Sequence, residues 1–202
     1  MNYQLLLEKE IELIKNNENK PKLLLHACCG PCSSYVIEYL SNYFDITIYY
    51  YNPNTYPENE FIRRLEELKK FTSTFNNNVK VIEENYDSGE FYKSIKGLEK
   101  LGERSERCYK CYELRMKKTI LYAKENNYEY FTTTLSISPY KNAEWINEIG
   151  KKLENEFNVK YLYSDFKKKN GYKKSLELSK KYNLYRQDYC GCIYSKLEKT
   201  GI

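Results

Sequence analysis

KLLLHACCGPCSSYVIEYL, residues 22–40, carries the reading that decides both fold class and chemistry. Its opening run, Lys22 to Ala27, is apolar and stops abruptly at Cys28, the pattern of a buried strand. Pro31 then suits the first turn of a helix that runs to about Tyr43, because its missing N–H costs nothing there. CCGPC therefore occupies the strand-to-helix turn, where a nucleotide-using α/β enzyme holds its phosphates. The chain has neither the GxxxxGK[ST] nor the GxGxxG pattern.

The same alternation continues outward. Leu6, Leu7, Ile11 and Ile14 predict a helix over 3–15, ended by Pro21. Ile46 to Tyr51 reads as a second strand, and Asn52-Pro53-Asn54 as a turn. Pro57 opens a helix with Phe61, Leu65, Leu68 and Phe75 on one face. Val79 to Glu83 is a third strand, and Asp87 to Glu106 is irregular. A helix from Cys108 to about Asn126 follows, then a strand over Tyr130 to Leu135. Next come a helix through Ile146, Ile149, Leu153 and Phe157, a strand over Val159 to Tyr163, and a helix from about Tyr172 to Tyr182. This order argues for a single α/β domain over 1–202, a three-layer sandwich with a mostly parallel sheet. A metal-site insert is expected around 87–112 and a Cys-Gly-Cys tail at 184–202. In such folds ligands sit beyond the carboxyl ends of the strands. Cys28 and Cys29, Asn52 to Asn54, Ser136 to Asn142, and Ser164-Asp165 are therefore expected along one rim.

Composition excludes little. The chain holds 33 Lys and Arg against 28 Asp and Glu, so its net charge of +5 permits nucleic-acid binding without demanding it. The 23 tyrosines, alongside abundant Lys, Asn and Ile, read as nucleotide-composition bias more than as function. No run of eighteen apolar residues exists, so no membrane span is expected. The first seventeen residues lack a signal-peptide pattern, and a cytoplasmic location is expected.

The seven cysteines fall into three groups with none left over: Cys28, Cys29 and Cys32; Cys108 and Cys111; Cys190 and Cys192. A reducing compartment does not favour structural disulfides. Adjacent thiols at the head of a helix suit metal ligands, because the helix N-terminus stabilises thiolates. Cys108-x-x-Cys111 has the spacing of zinc and iron–sulfur sites, and with Cys28 and Cys29 it supplies four thiolates. A structural zinc site, inert core cysteines and a thiol relay through Cys29-x-x-Cys32 compete with this. Cys190-Gly191-Cys192 suits a strained, reversible disulfide, with further metal ligation as the alternative. His26, the single histidine, reads as packing at the strand end or bonding a sulfur, ahead of ligation or proton donation.

Six segments, taken together, resemble the cobalamin-independent epoxyqueuosine reductases of the QueH type. They are HACCGPC (26–32), YNPNTYPENEF (51–61), ERCYKCYELR (106–115), FTTTLSISPYKN (131–142), SDFKKKNGY (164–172) and LYRQDYCGCIYS (184–195). The resemblance implies a Rossmann-like α/β sandwich that reduces epoxyqueuosine in tRNA to queuosine. It implies a [4Fe–4S] cluster on Cys28, Cys29, Cys108 and Cys111, a redox-active pair in Cys190 and Cys192, and an additional iron. Cys32 stands as a candidate ligand of that iron by position. Tyr140, Asp165 and Tyr189 become candidate proton donors, and Lys141, Lys167, Lys168 and Arg186 candidate contacts to tRNA phosphates. An external electron donor is required as a partner. On residues alone, two other functions compete: a tRNA-binding protein with structural zinc, and a metal-free thiol–disulfide oxidoreductase.

Overall fold

A computed structural model describes residues 1–75 and 79–201. Five strands run parallel: β1 (Lys22–His26), β2 (Asp45–Tyr50), β3 (Lys80–Glu83), β4 (Tyr130–Thr133) and β5 (Lys160–Tyr161). Their order across the sheet is β3-β2-β1-β4-β5. His26 pairs in register with Tyr49 on one side and Thr133 on the other, so three strands end together.

The helices are α1 (Tyr3–Ile14), α2 (Gly30–Leu40), α3 (Glu58–Phe75), α4 (Ser88–Ser94), α5 (Glu106–Glu125), α6 (Ala143–Phe157), α7 (Gly171–Lys181) and α8 (Ile193–Thr200). Leu23 and Leu25 of β1 enter one core with side chains of α1, α2, α3 and α7. Leu24 enters the other with α5 and α6. Alternate residues of one strand are thus buried on opposite faces, which is why KLLLHA shows no polar alternation. Each fully buried leucine contributes about 1.5–3 kcal/mol relative to exposure. The three-layer sandwich is as expected, and its sheet is wholly parallel.

Four elements depart from the sequence reading. The Thr-rich strand stops at Thr133, and Thr134–Ile137 forms a 3-10 turn capped by Thr133. The fifth strand pairs only over Lys160–Tyr161, because it is an edge strand that leaves the sheet after meeting β4. The segment read as irregular contains α4, capped by Asp87, and the tail contains α8, capped by Cys192.

Chain order reverses between β1 and β4. The chain climbs outward through β2 and β3, then returns to the other side of β1. α2 and α5 consequently lie on opposite faces and leave a crevice beyond the strand ends.

Candidate metal centre and reaction cavity

The crevice is floored by the turn after β1. Cys29 caps α2, its sulfur accepting from the Cys32 amide at 3.4 Å. The start of this helix packs against the backbone of α3 at Glu67 and Leu68, where a Cβ on Gly30 would make ordinary contact at 3.4 Å. The sulfurs of Cys28, Cys29 and Cys32 all lie within 4.8 Å of one another. Those of Cys28 and Cys29 are 3.7 Å apart, and Thr134 Oγ1 is 3.9 Å from Cys28. Hydrogen bonds from Cys29 and Cys32 hold the Cys28 thiol well below its ordinary pKa. Burial and the neighbouring Cys28 push Cys29 up to about 12, and Cys28 and Cys29 together push Cys32 well upward. Protein groups alone thus stabilise one negative charge on three sulfurs. Complete ionisation calls for a cation among them.

The surroundings fit such an anionic thiolate centre. Arg64 on α3 and Arg115 on α5 are each 2% exposed. Arg64 Nε donates to Glu60 at 2.7 Å, and Arg115 Nε donates to the Cys111 carbonyl at 3.1 Å. Nη2 of each has no hydrogen-bond partner among the described residues. Burial opposes the charge of Arg64, and Cys29 beside it is the largest influence favouring it. Burial likewise opposes Arg115, with Cys111, Cys190 and Cys28 opposing that loss. On Lys141 the electrostatic influence of the neighbouring cysteines, Cys28 among them, outweighs burial and raises the pKa. Buried cations with open donors suit thiolate sulfur, whose charge they offset.

His26 does not join this set. Its ring sits between Thr133 Oγ1, 2.8 Å from Nδ1, and the Tyr51 carbonyl, 3.1 Å from Nε2. Nε2–H donates to the carbonyl, so Nδ1 accepts from the threonine hydroxyl. Burial and Arg115 push its pKa down to about 3, and the neutral ring ties β1, β2 and β4 together.

The other four cysteines come from α5 and the tail and stand outside this three-sulfur group. Cys111 and Cys192 pack with Phe91 and Ile95. Burial pushes Cys111 up to about 12 and also raises Cys108 and Cys192. None of the seven cysteines is in a disulfide. Gly191 between the tail pair has φ +139°, and a Cβ there would stand 3.0 Å from Arg64 Nη1. Arg64 Nη1 also donates to the Cys190 carbonyl at 3.1 Å.

A cavity of about 560 Å³ opens above these groups. Cys32, Cys108 and Cys190, one from each sequence group, share its lining with Tyr112, Lys141 and Gln187. Gln187 Nε2 donates to Cys29 Sγ at 3.0 Å. The expected rim is present: Asn52 Nδ2 donates to the Ala27 carbonyl at 2.8 Å, and the hydroxyls of Ser136 and Ser164 are 3.3 Å apart.

The candidate proton donors separate. Asp165 forms a 2.6 Å ion pair with Lys167, and Tyr189 donates its hydroxyl to the Tyr56 carbonyl at 2.5 Å. Tyr140 stands at the cavity mouth, 64% exposed. Of the candidate phosphate contacts, Lys141 and Arg186 line the cavity, whereas Lys168 is exposed beyond Asp165. Arg64, Arg115 and Gln187 escaped the sequence reading. A signal existed for the arginines, since each falls on the apolar face of its helix, Arg64 with Phe61 and Leu68, Arg115 with Tyr112 and Met116.

A family model described as epoxyqueuosine reductase QueH matches residues 23–198, a span that contains every cysteine. The chain belongs to the QueH family. It is 43% identical to the epoxyqueuosine reductase QueH of Staphylococcus epidermidis, across 100% of this chain and 87% of that one. It is 40% identical to the Staphylococcus aureus protein of that description, over 98% and 85% of the two chains. With the Streptococcus pyogenes protein it shares 39% identity over 96% and 78%. The family makes the chain an epoxyqueuosine reductase, an oxidoreductase of queuosine biosynthesis and tRNA processing. No helix among the described residues is long and apolar enough to cross a membrane.

Proposed function

We propose that this QueH-family reductase converts epoxyqueuosine in tRNA to queuosine at a [4Fe–4S] cluster held by Cys28, Cys29, Cys108 and Cys111. Cys32 faces an adjacent iron, and Cys190 with Cys192 forms a reversible two-electron store. The observation that carries this reading is the shared cavity lined by Cys32, Cys108 and Cys190.

The stoichiometry fits a dithiol. Turning an epoxide into an alkene consumes two electrons and two protons and releases water. Oxidation of the Cys190/Cys192 dithiol to a disulfide supplies both electrons and both protons, and an external donor restores the thiols. When bound, the cluster and iron would supply one-electron relay and Lewis-acid polarisation of the epoxide oxygen.

The chain's own residues set the stage. Burial holds Cys192 protonated, so it carries a proton together with its electrons. Gly191 allows the bend that brings two sulfurs into one short loop, and Arg64 grips the Cys190 carbonyl. Lys141 keeps positive charge beside the cysteines, where it stabilises an oxyanion developing in the cavity. The modified base leaves the anticodon stack to enter.

Anaerobic purification followed by iron, sulfide and zinc analysis tests the centre. Iron in slight excess over acid-labile sulfide, as a cluster plus one separate iron requires, with queuosine formed from epoxyqueuosine tRNA, is the expected result. A colourless zinc protein would overturn it.

A further inference from the structure

The cavity is large enough for one modified base and its ring substituent, but far too small for an anticodon loop. Nucleotides flanking the inserted base must therefore cross its mouth. There the 3-10 turn after β4 is followed by a hydrogen-bonded corner. The Tyr140 amide donates to Ser138 Oγ at 3.3 Å, and the Lys141 amide donates to the Ser138 carbonyl at 3.2 Å. This corner splits two neighbours: Lys141 is half-buried in the cavity lining with Cys32, Cys108 and Cys190, while Tyr140 is 64% exposed on the lip.

A large ring left in water has a hydrophobic cost unless something covers it. Tyr140 is not alone on the lip. The Arg104 guanidinium lies 5.8 Å from its ring centroid and also lines the mouth. Arg104 sits in the left-handed backbone region at φ +62°, in the turn just before α5. Two charged pairs at the mouth are already formed, Lys199 with Asp188 at 2.7 Å and Glu198 with Arg107 at 3.0 Å, while Glu103, Lys141 and Arg186 also line it. Among the described residues Arg104 has no salt-bridge partner. An exposed aromatic face beside a free guanidinium, above a cavity sized for one base, is the chemistry that grips unstacked RNA bases.

We infer that Tyr140 and Arg104 form a stacking clamp for a nucleobase flanking the modified one in the tRNA anticodon loop. The inference rests on the tRNA reading above and deepens it, giving Tyr140 a role in substrate docking through its ring and not its hydroxyl.

The test is a double-mutant cycle on the iron-loaded protein. Fluorescein-labelled anticodon stem-loop RNA is titrated against wild type, Tyr140→Phe and Tyr140→Ala, with hairpins intact or abasic at either position flanking the modified base. Y140A should weaken binding about tenfold or more, and Y140F should stay close to wild type. One abasic hairpin should cost wild type a similar factor and Y140A little further, which identifies the stacked base. Because Tyr140 is exposed, thermal melts of all three proteins should coincide. Unchanged affinity in Y140A, equal loss in Y140F, or additive losses in the cycle would each overturn the clamp. Failure of wild type to bind the intact hairpin would instead overturn the tRNA reading beneath it.

Discussion

The side-chain amide of Gln187 donates to the sulfur of Cys29 at 3.0 Å, across 158 positions of the chain. The tail that carries the Cys-Gly-Cys pair is thereby tied to the turn after the first strand. An N–H donor on a thiolate ligand stabilises the more negative, reduced state of a metal centre. Gln187→Leu, which removes the donor and keeps the bulk, should retain iron while lowering the midpoint potential. A redox titration followed by electron paramagnetic resonance reads this, and an unmoved potential would detach Cys29 from the centre.

The two cysteine roles are separable. Cys28→Ser and Cys108→Ser should each lose iron and reductase activity together. Cys190→Ser and Cys192→Ser should keep iron but stop multiple turnover with a physiological reductant. Iron analysis beside steady-state assays makes the comparison. Loss of iron in the Cys190 variant would move that residue into the metal site.

Arg64 is a buried ion-pair member that also holds the Cys190 carbonyl. Arg64→Met leaves the Glu60 carboxylate without its cation and should destabilise the fold by about 3–5 kcal/mol. Urea denaturation at neutral pH measures it. A loss below 1 kcal/mol, about the worth of an exposed pair, would show that water reaches Glu60.

Gly150 on α6 faces the ring of Tyr161, and an added Cβ would stand 2.3 Å from that ring. Gly150→Ala should cost about 1–3 kcal/mol through forced repacking of helix on sheet. Gly102, where a Cβ meets nothing within 4 Å, provides the control. Thermal melts of the two alanine variants should differ clearly, with Gly102→Ala near wild type.

Much of the fold was legible because burial leaves a pattern in sequence. β1 and β2 are apolar on both faces, and Pro31 marks the start of α2. α4 and α8 were not legible, since seven- and eight-residue helices are marginal alone and depend on their caps and docking. β5 was overread because local apolarity does not show where an edge strand departs from its neighbour.

The sequence by itself determined that seven cysteines fall into three groups along the chain, and that one group sits at a strand-to-helix turn. Spacing and local geometry suffice for that, because neighbours in the chain stay neighbours in space. Only the tertiary structure decided that Cys32, Cys108 and Cys190 share a cavity, and that Arg64 and Arg115 surround the sulfurs with buried charge. Those meetings depend on the reversal of strand order beside β1, which brings distant segments to the carboxyl ends of the central strands. Parallel pairing over such separations is set by how whole layers pack, and no local pattern encodes it.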